Sequence, residues 1–257
     1  MKAVIMAGGL GERLKPLTRI IPKPLLPVGN QSVLEIQLLN LKTHGVGEIY
    51  LALGYKHDLF DAYFGDGTKW NVQINYSIEK KPLGTAGPLS LLRDFLNEPF
   101  LVMNGDILTN LNFTNLAKAH ENSGAAITVV TKVITLPLQY GVIKHENNRI
   151  LSIEEKPSLS SEINAGIYFM SPEVLGRIPS DKFYSMDVFL KEIISDGLPV
   201  NRYPMTELEH WLDIGHLGEY EKAEGMFPEK SIKNLQACLN DLEKCESDLR
   251  VAHGKPN

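Results

Sequence analysis

The spacing of apolar positions changes repeatedly along the first half of the chain. Lys2–Met6 is short, apolar and closed by Gly8-Gly9, the pattern of a strand buried on both faces. Residues 32–44, SVLEIQLLNLKTH, carry apolar side chains at helical spacing and stop at Gly45. EIYLALG (48–54) reads as a second buried strand, HDLFDAYF (57–64) as a short helix and VQINYSIE (72–79) as an alternating strand. GPLSLLRDFL (87–96) predicts a helix, and PFLVMNGD (99–106) a strand ending in a turn. NFTNLAKAHENSG (112–124) predicts a helix and AAITVVTKV (125–133) a strand. Strands and helices that alternate in this way, with apolar strands, predict an α/β fold: a mostly parallel sheet with helices on both faces.

After residue 134 the rhythm breaks. YGVIKHENNRILSIEEKP (140–157) predicts a hairpin turning at Asn147-Asn148. INAGIYFMS (163–171) reads as a strand, SMDVFLKEIISDG (185–197) as a helix, and 200–205 and 209–215 as short strands. No internal repeat is visible. Near the end, Ile232, Leu235, Leu239, Leu242, Cys245 and Leu249 recur every three or four positions with charges between them. That spacing predicts one amphipathic helix. It divides the chain into a domain over 1–227 and a helix with a polar tail over 228–257. The apolar stripe must bury against the first domain or against a second copy, which would make a homo-oligomer.

Composition narrows the partners. The 257 residues carry a net charge of −5, against nucleic acid or an anionic membrane surface as the main partner. An anionic ligand then needs a local basic site. No apolar run reaches membrane length, and no charged-then-apolar leader precedes the first strand. The two cysteines, Cys238 and Cys245, form neither a disulfide framework nor a zinc signature, which points to a reducing cytoplasm.

The first loop can meet such an anion. In an open α/β sheet, ligands sit beyond the carboxyl ends of the strands. Gly8, Gly9 and Gly11 lack Cβ atoms, so their backbone N–H groups can approach a polyphosphate closely. Arg13 adds a planar fork, and Lys23 a point charge on the stiff segment IPKP. The loop is not a dinucleotide fingerprint, since Leu14 stands where a third glycine is needed, and no G-K-[ST] ends it as a Walker A loop would. On local pattern alone, the glycines could simply turn the chain. Asp106 could cap the next turn, and Asp213 could be a surface acid.

AGGLGERLKPLT and PKPLLPVG together resemble the signature of the sugar-1-phosphate nucleotidyltransferases. The resemblance continues through PLGTAGPL (82–89), VMNGDIL (102–108), YGVI (140–143), EEKP (154–157), NAGIY (164–168) and WLDIG (211–215), so it covers about residues 1–225. It implies the Rossmann-like nucleotide-diphospho-sugar transferase fold. It also implies a reaction in which an oxygen of a sugar 1-phosphate attacks the α-phosphorus of an NTP and expels pyrophosphate. Two anions meet there, and the family answers with Mg²⁺. Asp106 and Asp213 are the implied metal ligands, and Arg13, Lys23 and Asp106 the implied catalytic residues, with Lys23 at the α-phosphate. Gly8, Gly9, Gly11, Arg13, Lys23, Glu79, Pro82, Gly84, Thr85, Ala86 and Gly105 would bind the nucleotide. Gly141, Glu155, Lys156 and Asn164 would bind the sugar phosphate, although EEKP alone also fits a solvated charge run.

The segment EKKPLGTAGPL is closest to that of mannose-1-phosphate guanylyltransferases. Thymidylyl- and uridylyltransferases usually carry Gln where this chain has Gly87, which would leave room for a purine. Guanine offers two adjacent donors that one carboxylate can accept, which makes Glu79 a candidate reader, although its pattern equally fits a solvated acid at a strand end; GTP is the expected nucleotide. The alternatives are dTTP, UTP or CTP, or a non-catalytic member that senses nucleotide sugars. Such a member would be expected to lose the lysine or a metal acid, and here Arg13, Lys23, Asp106 and Asp213 are all present.

Overall fold

The computed structural model of the protein describes residues 1–9, 11–215 and 217–226. The proposed helix over 228–257, with any oligomer it would form, lies outside the described residues. The first strand, β1, is Lys2–Met6, as its apolar run predicts. The short strands β2 (Pro27–Val28) and β3 (Gln31–Ser32) pair and lead into helix α1, Val33–Thr43. Ser32 caps α1 by accepting from the Glu35 N–H at 3.2 Å. Then follow β4 (Glu48–Leu53), α2 (His57–Phe64) and β5 (Gln73–Ile78). After them come β6 (Phe100–Asn104), β7 (Ile107–Thr109) and α3 (Phe113–Ser123), the last capped by Asn112 and closed by left-handed Gly124.

Strands β8 (Ile127–Pro137) and β11 (Ser158–Met170) flank the hairpin of β9 (Val142–Glu146) and β10 (Arg149–Glu154), which turns at Asn147-Asn148 as predicted. Helix α4 (Met186–Ser195), β12 (Val200–Pro204), β13 (Trp211–Asp213) and α5 (Leu217–Met226) complete the order.

Seven strands form one sheet in the order β12-β8-β11-β6-β1-β4-β5. It is parallel except that β11 runs antiparallel to both β6 and β8. Alternation along β1 sends Ala3 and Ile5 to the face covered by α1, α2 and α3, and Val4 to the face covered by α4. The chain builds outward from β1 through β4 and β5, then returns to β1's other side as β6. Such a reversal opens a crevice at the carboxyl ends of β1 and β6. No helix among the described residues is long and apolar enough to cross a membrane.

Two expectations need correction, and one element was not expected. Residues 87–96 do not form an α-helix: Gly87–Leu92 is a 3₁₀ run. The N–H groups of Ala86 and Gly87 both donate to the Tyr184 carbonyl at 3.0 Å, Pro88 has none to give, and Leu89 donates to Ala86, three residues back. The strands expected over 125–133 and 163–171 run on into each other's company, pairing from Ile127↔Met170 out to Pro137↔Ser158. Their outer halves are exposed, so no buried apolar pattern marks them. Helix α5 has no counterpart in the sequence pattern, because its residues show little amphipathic contrast.

A two-part cleft at the strand ends

The charged centre is assembled from three distant segments. Lys23 opens a 3₁₀ turn between the buried rings of Pro22 and Pro24, and the residue is only 9% exposed. Its Nζ donates to Asp106 Oδ2 at 2.5 Å and to Asp213 Oδ1 at 3.5 Å. Asp106 sits in the turn between β6 and β7, and Asp213 ends β13. Pairing of β13 with β7 sets Asp213 opposite Ile107, and the Ile214 N–H donates to the Asp106 carbonyl at 2.9 Å. The two acids therefore meet through strand register.

Burial raises the Asp213 carboxyl above its ordinary range, with the Asp106 charge acting in the same direction. Lys23 and Arg13 oppose that shift. The Arg13 Nη1 comes within 3.7 Å of where a Cβ on Gly215 would stand, which puts its guanidinium beside the same acid. Leu14, the next residue in the chain, is buried.

Two adjoining cavities meet at Met6, Gly9 and Asp106. The smaller, about 330 Å³, is lined by Gly11, Arg13, Lys23, Gly105 and Gly215 among others. The larger, about 720 Å³, extends past Gly8, Gly54, Glu79, Pro82, Gly84 and Thr85. The first has the charge for phosphates, and the second the size for a base and sugar.

Individual residues play different parts. Gly9 is exposed, with open space where a Cβ would stand. Gly11 is left-handed (φ +62°), and a Cβ there would come 2.8 Å from Thr18 Cγ2. Thr18 in turn donates to the Gly11 carbonyl at 2.7 Å, fixing the loop. Gly84, at φ +83°, lies so close to Tyr184 that a Cβ would stand 2.7 Å from its carbonyl oxygen. Gly105 is packed between Ala7, Met6 and Pro24 at the cavity floor.

Ala86 does not line either cavity: it is fully buried, with its N–H taken by Tyr184. Gly87 is likewise packed, since a Cβ would meet Leu83 at 2.9 Å and the Lys182 carbonyl at 3.0 Å. Room for a purine thus cannot be credited to Gly87 directly.

Glu79 lines the larger cavity at the end of β5. Its Oε2 accepts from the Leu83 N–H at 2.9 Å, and its Oε1 lies against Gly8 and Gly54. Burial raises its carboxyl above the ordinary range, with the Leu83 hydrogen bond opposing. Part of its acceptor capacity therefore already orders the loop over 79–83.

Gly141, Glu155, Lys156 and Asn164 line neither cavity. The position of a Cβ on Gly141 falls 3.1 Å from Glu155 Oε2, so these two are neighbours on the exposed base of the hairpin. Asn164 is occupied with the bulge of β11, accepting from the Gly166 N–H and donating to the Tyr168 hydroxyl, both at 2.9 Å. Asn104, Tyr55, Lys80, Lys81 and Phe183 line the larger cavity and carry no motif that singles them out in the sequence. A polar Asn at the end of the apolar run FLVMN is the visible signal for one of them.

The carboxylates of Asp106 and Asp213 already hold the Lys23 cation between them, and their oxygens are the donors a hard divalent ion takes. Among the described residues no third acid, His or Cys completes a cluster. That suits Mg²⁺, which is bound by one or two carboxylates with substrate phosphates filling its shell.

The chain is 37% identical over 257 residues to a UTP–glucose-1-phosphate uridylyltransferase of Synechocystis, covering 92% of this chain and 66% of that protein. It is 37% identical over 244 residues to mannose-1-phosphate guanylyltransferase catalytic subunit beta of Dictyostelium discoideum, covering 92% of this chain and 67% of that one. This chain thus spans about two thirds of the length of these curated relatives. The solved structure of HddC from Yersinia pseudotuberculosis complexed with GMP-PN matches with a TM-score of 0.70 at 26% identity, covering 88% of this chain and 99% of that chain. The nucleotidyl transferase family matches residues 2–229, most of the chain, and the chain belongs to that family.

Proposed function

We propose that this protein transfers a nucleotidyl group from an NTP, with GTP preferred, to a sugar 1-phosphate, giving an NDP-sugar and pyrophosphate. The observation that carries the reading is the convergence of Lys23, Asp106, Asp213 and Arg13 where a phosphate-sized cavity joins a larger one. A sugar-phosphate oxygen forms the new bond to the α-phosphorus, and the bond to the pyrophosphate oxygen breaks. Arg13 holds the outgoing phosphates through its fork. Lys23 leaves its carboxylate partners to face the charge that grows at the α-phosphate. Asp106 and Asp213 would hold Mg²⁺, which when bound neutralises the phosphates and lets two anions approach. Glu155 and Lys156 would close over the sugar phosphate from the hairpin. A cytoplasmic location is part of the reading and rests on cysteine usage.

The preference for GTP is supported by the guanylyltransferase among the relatives and by the likeness to HddC, whose matching structure is a complex with GMP-PN. Glu79, in the lining of the larger cavity, supplies an acceptor for guanine's N1–H and exocyclic amine. UTP is the second reading, supported by the uridylyltransferase relative. Pyrophosphate release measured for GTP, ATP, UTP, dTTP and CTP, each against several hexose 1-phosphates, decides between them. Turnover led by GTP is expected. Turnover led by a pyrimidine nucleotide would overturn the base assignment, and no turnover with any pair would favour a nucleotide-sugar sensor.

A further inference from the structure

Gln37 interrupts the apolar face of α1. Its neighbours Leu34, Leu38 and Leu41 are wholly buried in the core, and Gln37 itself is 3% exposed. Its Nε2 donates to the Asn104 carbonyl at 3.0 Å and to the Ile107 carbonyl at 2.7 Å. Those carbonyls bracket Gly105 and Asp106. One amide nitrogen therefore ties together both ends of the turn that carries Asp106. The other end of the amide, Oε1, is buried without a hydrogen-bond partner.

A buried acceptor left unpaired is unfavourable, and an apolar side chain of similar length would avoid it. Core packing thus does not account for the amide, whereas the turn does. Two further bonds restrain the same turn: the Gly105 N–H donates to the Met6 carbonyl, and the Ile214 N–H to the Asp106 carbonyl, each at 2.9 Å. Both come from backbone. Besides the Lys23 bond to the Asp106 carboxylate, Gln37 supplies a side-chain restraint on the backbone of this turn, and it reaches the turn from α1.

We infer that Gln37 is a positioning residue for Asp106, holding the β6–β7 turn so that the carboxylate stays opposite Lys23 and Asp213. The inference rests on the proposed role of Asp106 in holding the metal. Loss of an outer support for a metal-binding group commonly lowers metal affinity or activity by 10–100-fold.

The test uses the full chain with Gln37→Met, which keeps length and loses the donor. Gln37→Leu is read the same way should the first variant not fold. Mn²⁺ alone is titrated by the disappearance of its free-ion resonance, and steady-state kinetics use the best substrate pair of the wild type. Mn²⁺ affinity is expected to fall about tenfold and kcat in the same range, with KM for the nucleotide within about twofold. Leu41→Ala, on the same helix, is the control for simple loosening. It should lower the thermal midpoint and leave Mn²⁺ affinity and kcat as in the wild type. Wild-type affinity and kcat in Gln37→Met would overturn the inference. So would an equal loss in Leu41→Ala, since helix packing and not the amide would then be responsible. Asp106→Asn with undiminished Mn²⁺ affinity would instead contradict the metal role of Asp106. The kcat of Gln37→Met against that of Leu41→Ala would then decide the positioning on its own.

Discussion

Lys23 brings one positive charge to two carboxylates, at 2.5 Å from Asp106 and 3.5 Å from Asp213. On the proposed reading this charge balance acts at the reacting phosphates, so removing the cation should be felt in the rate. Lys23→Ala is expected to reduce pyrophosphate release roughly 100-fold, about 3 kcal/mol, the loss typical of one oriented donor in a transition state. Asp106→Ala should nearly abolish release and flatten its dependence on Mg²⁺. Wild-type rates in both would remove the charged centre from the chemistry.

Glu79→Ala should narrow the GTP/ATP ratio by about 1–3 kcal/mol, because guanine loses an acceptor that adenine never used. Competition between the two nucleotides measures it; an unchanged ratio would leave Glu79 only its bond to Leu83. Asp106 was legible as an acid at a strand end. Its meeting with Asp213 was not, since it depends on β7–β13 register, and only the family resemblance paired them. Gln37 was not singled out by the sequence pattern, because its partners lie about 70 residues away in a turn whose position the sheet decides.

At the scale of elements, short apolar-patterned segments followed closely by glycine were read closely: β1 and α2 match their predicted limits. Segments shaped by distant backbone were not. The 3₁₀ run after Ala86 exists because Tyr184 takes two N–H groups, which nothing local announces. The same 183–186 segment is stitched to the loop over 79–88 by Tyr184 N–H to Leu83 O and by Met186 N–H to Thr85 Oγ1, both 2.8 Å. A wall of the larger cavity is thereby made of two segments that must move together.

Another joint lies at α3, where buried His120 bonds to Thr128 Oγ1 of β8 at 2.9 Å and to Ser171 Oγ after β11 at 3.1 Å. Burial lowers its pKa below 6.5, with Glu173 and Glu121 opposing. The unfolded chain then binds the proton more readily, so stability present above pH 6.5 is lost as pH falls toward the folded-state pKa. His120→Gln should flatten that acid limb in urea midpoints between about pH 7 and 5. An unchanged slope would show that His120 is not the group responsible.

For the whole molecule, the sheet's reversal at β1 gathers strand ends from β1, β4, β5 and β6 around one cleft, and the residues assigned to phosphate and base come from those ends. The fold class was legible from the alternation of elements, because apolar strands joined by helices leave few other arrangements. The hairpin with Glu155 and Lys156 stands outside both cavities. Every residue assigned to the reaction precedes residue 227. Cutting the chain after Phe227 should therefore leave kcat within about twofold, while light scattering reports any change in oligomeric state. A folded, inactive product would move the boundary of the catalytic unit.

The central claim is that Lys23, Asp106, Asp213 and Arg13 join a nucleotide to a sugar 1-phosphate. Its most direct test is the fate of α-labelled GTP incubated with Mg²⁺ and the hexose 1-phosphate that turns over best, followed by separation of the products. The expected result is labelled GDP-sugar and pyrophosphate in equal amounts from the wild type, and neither from Asp106→Ala. Labelled GMP without GDP-sugar, or the same GDP-sugar yield from Asp106→Ala, would contradict it.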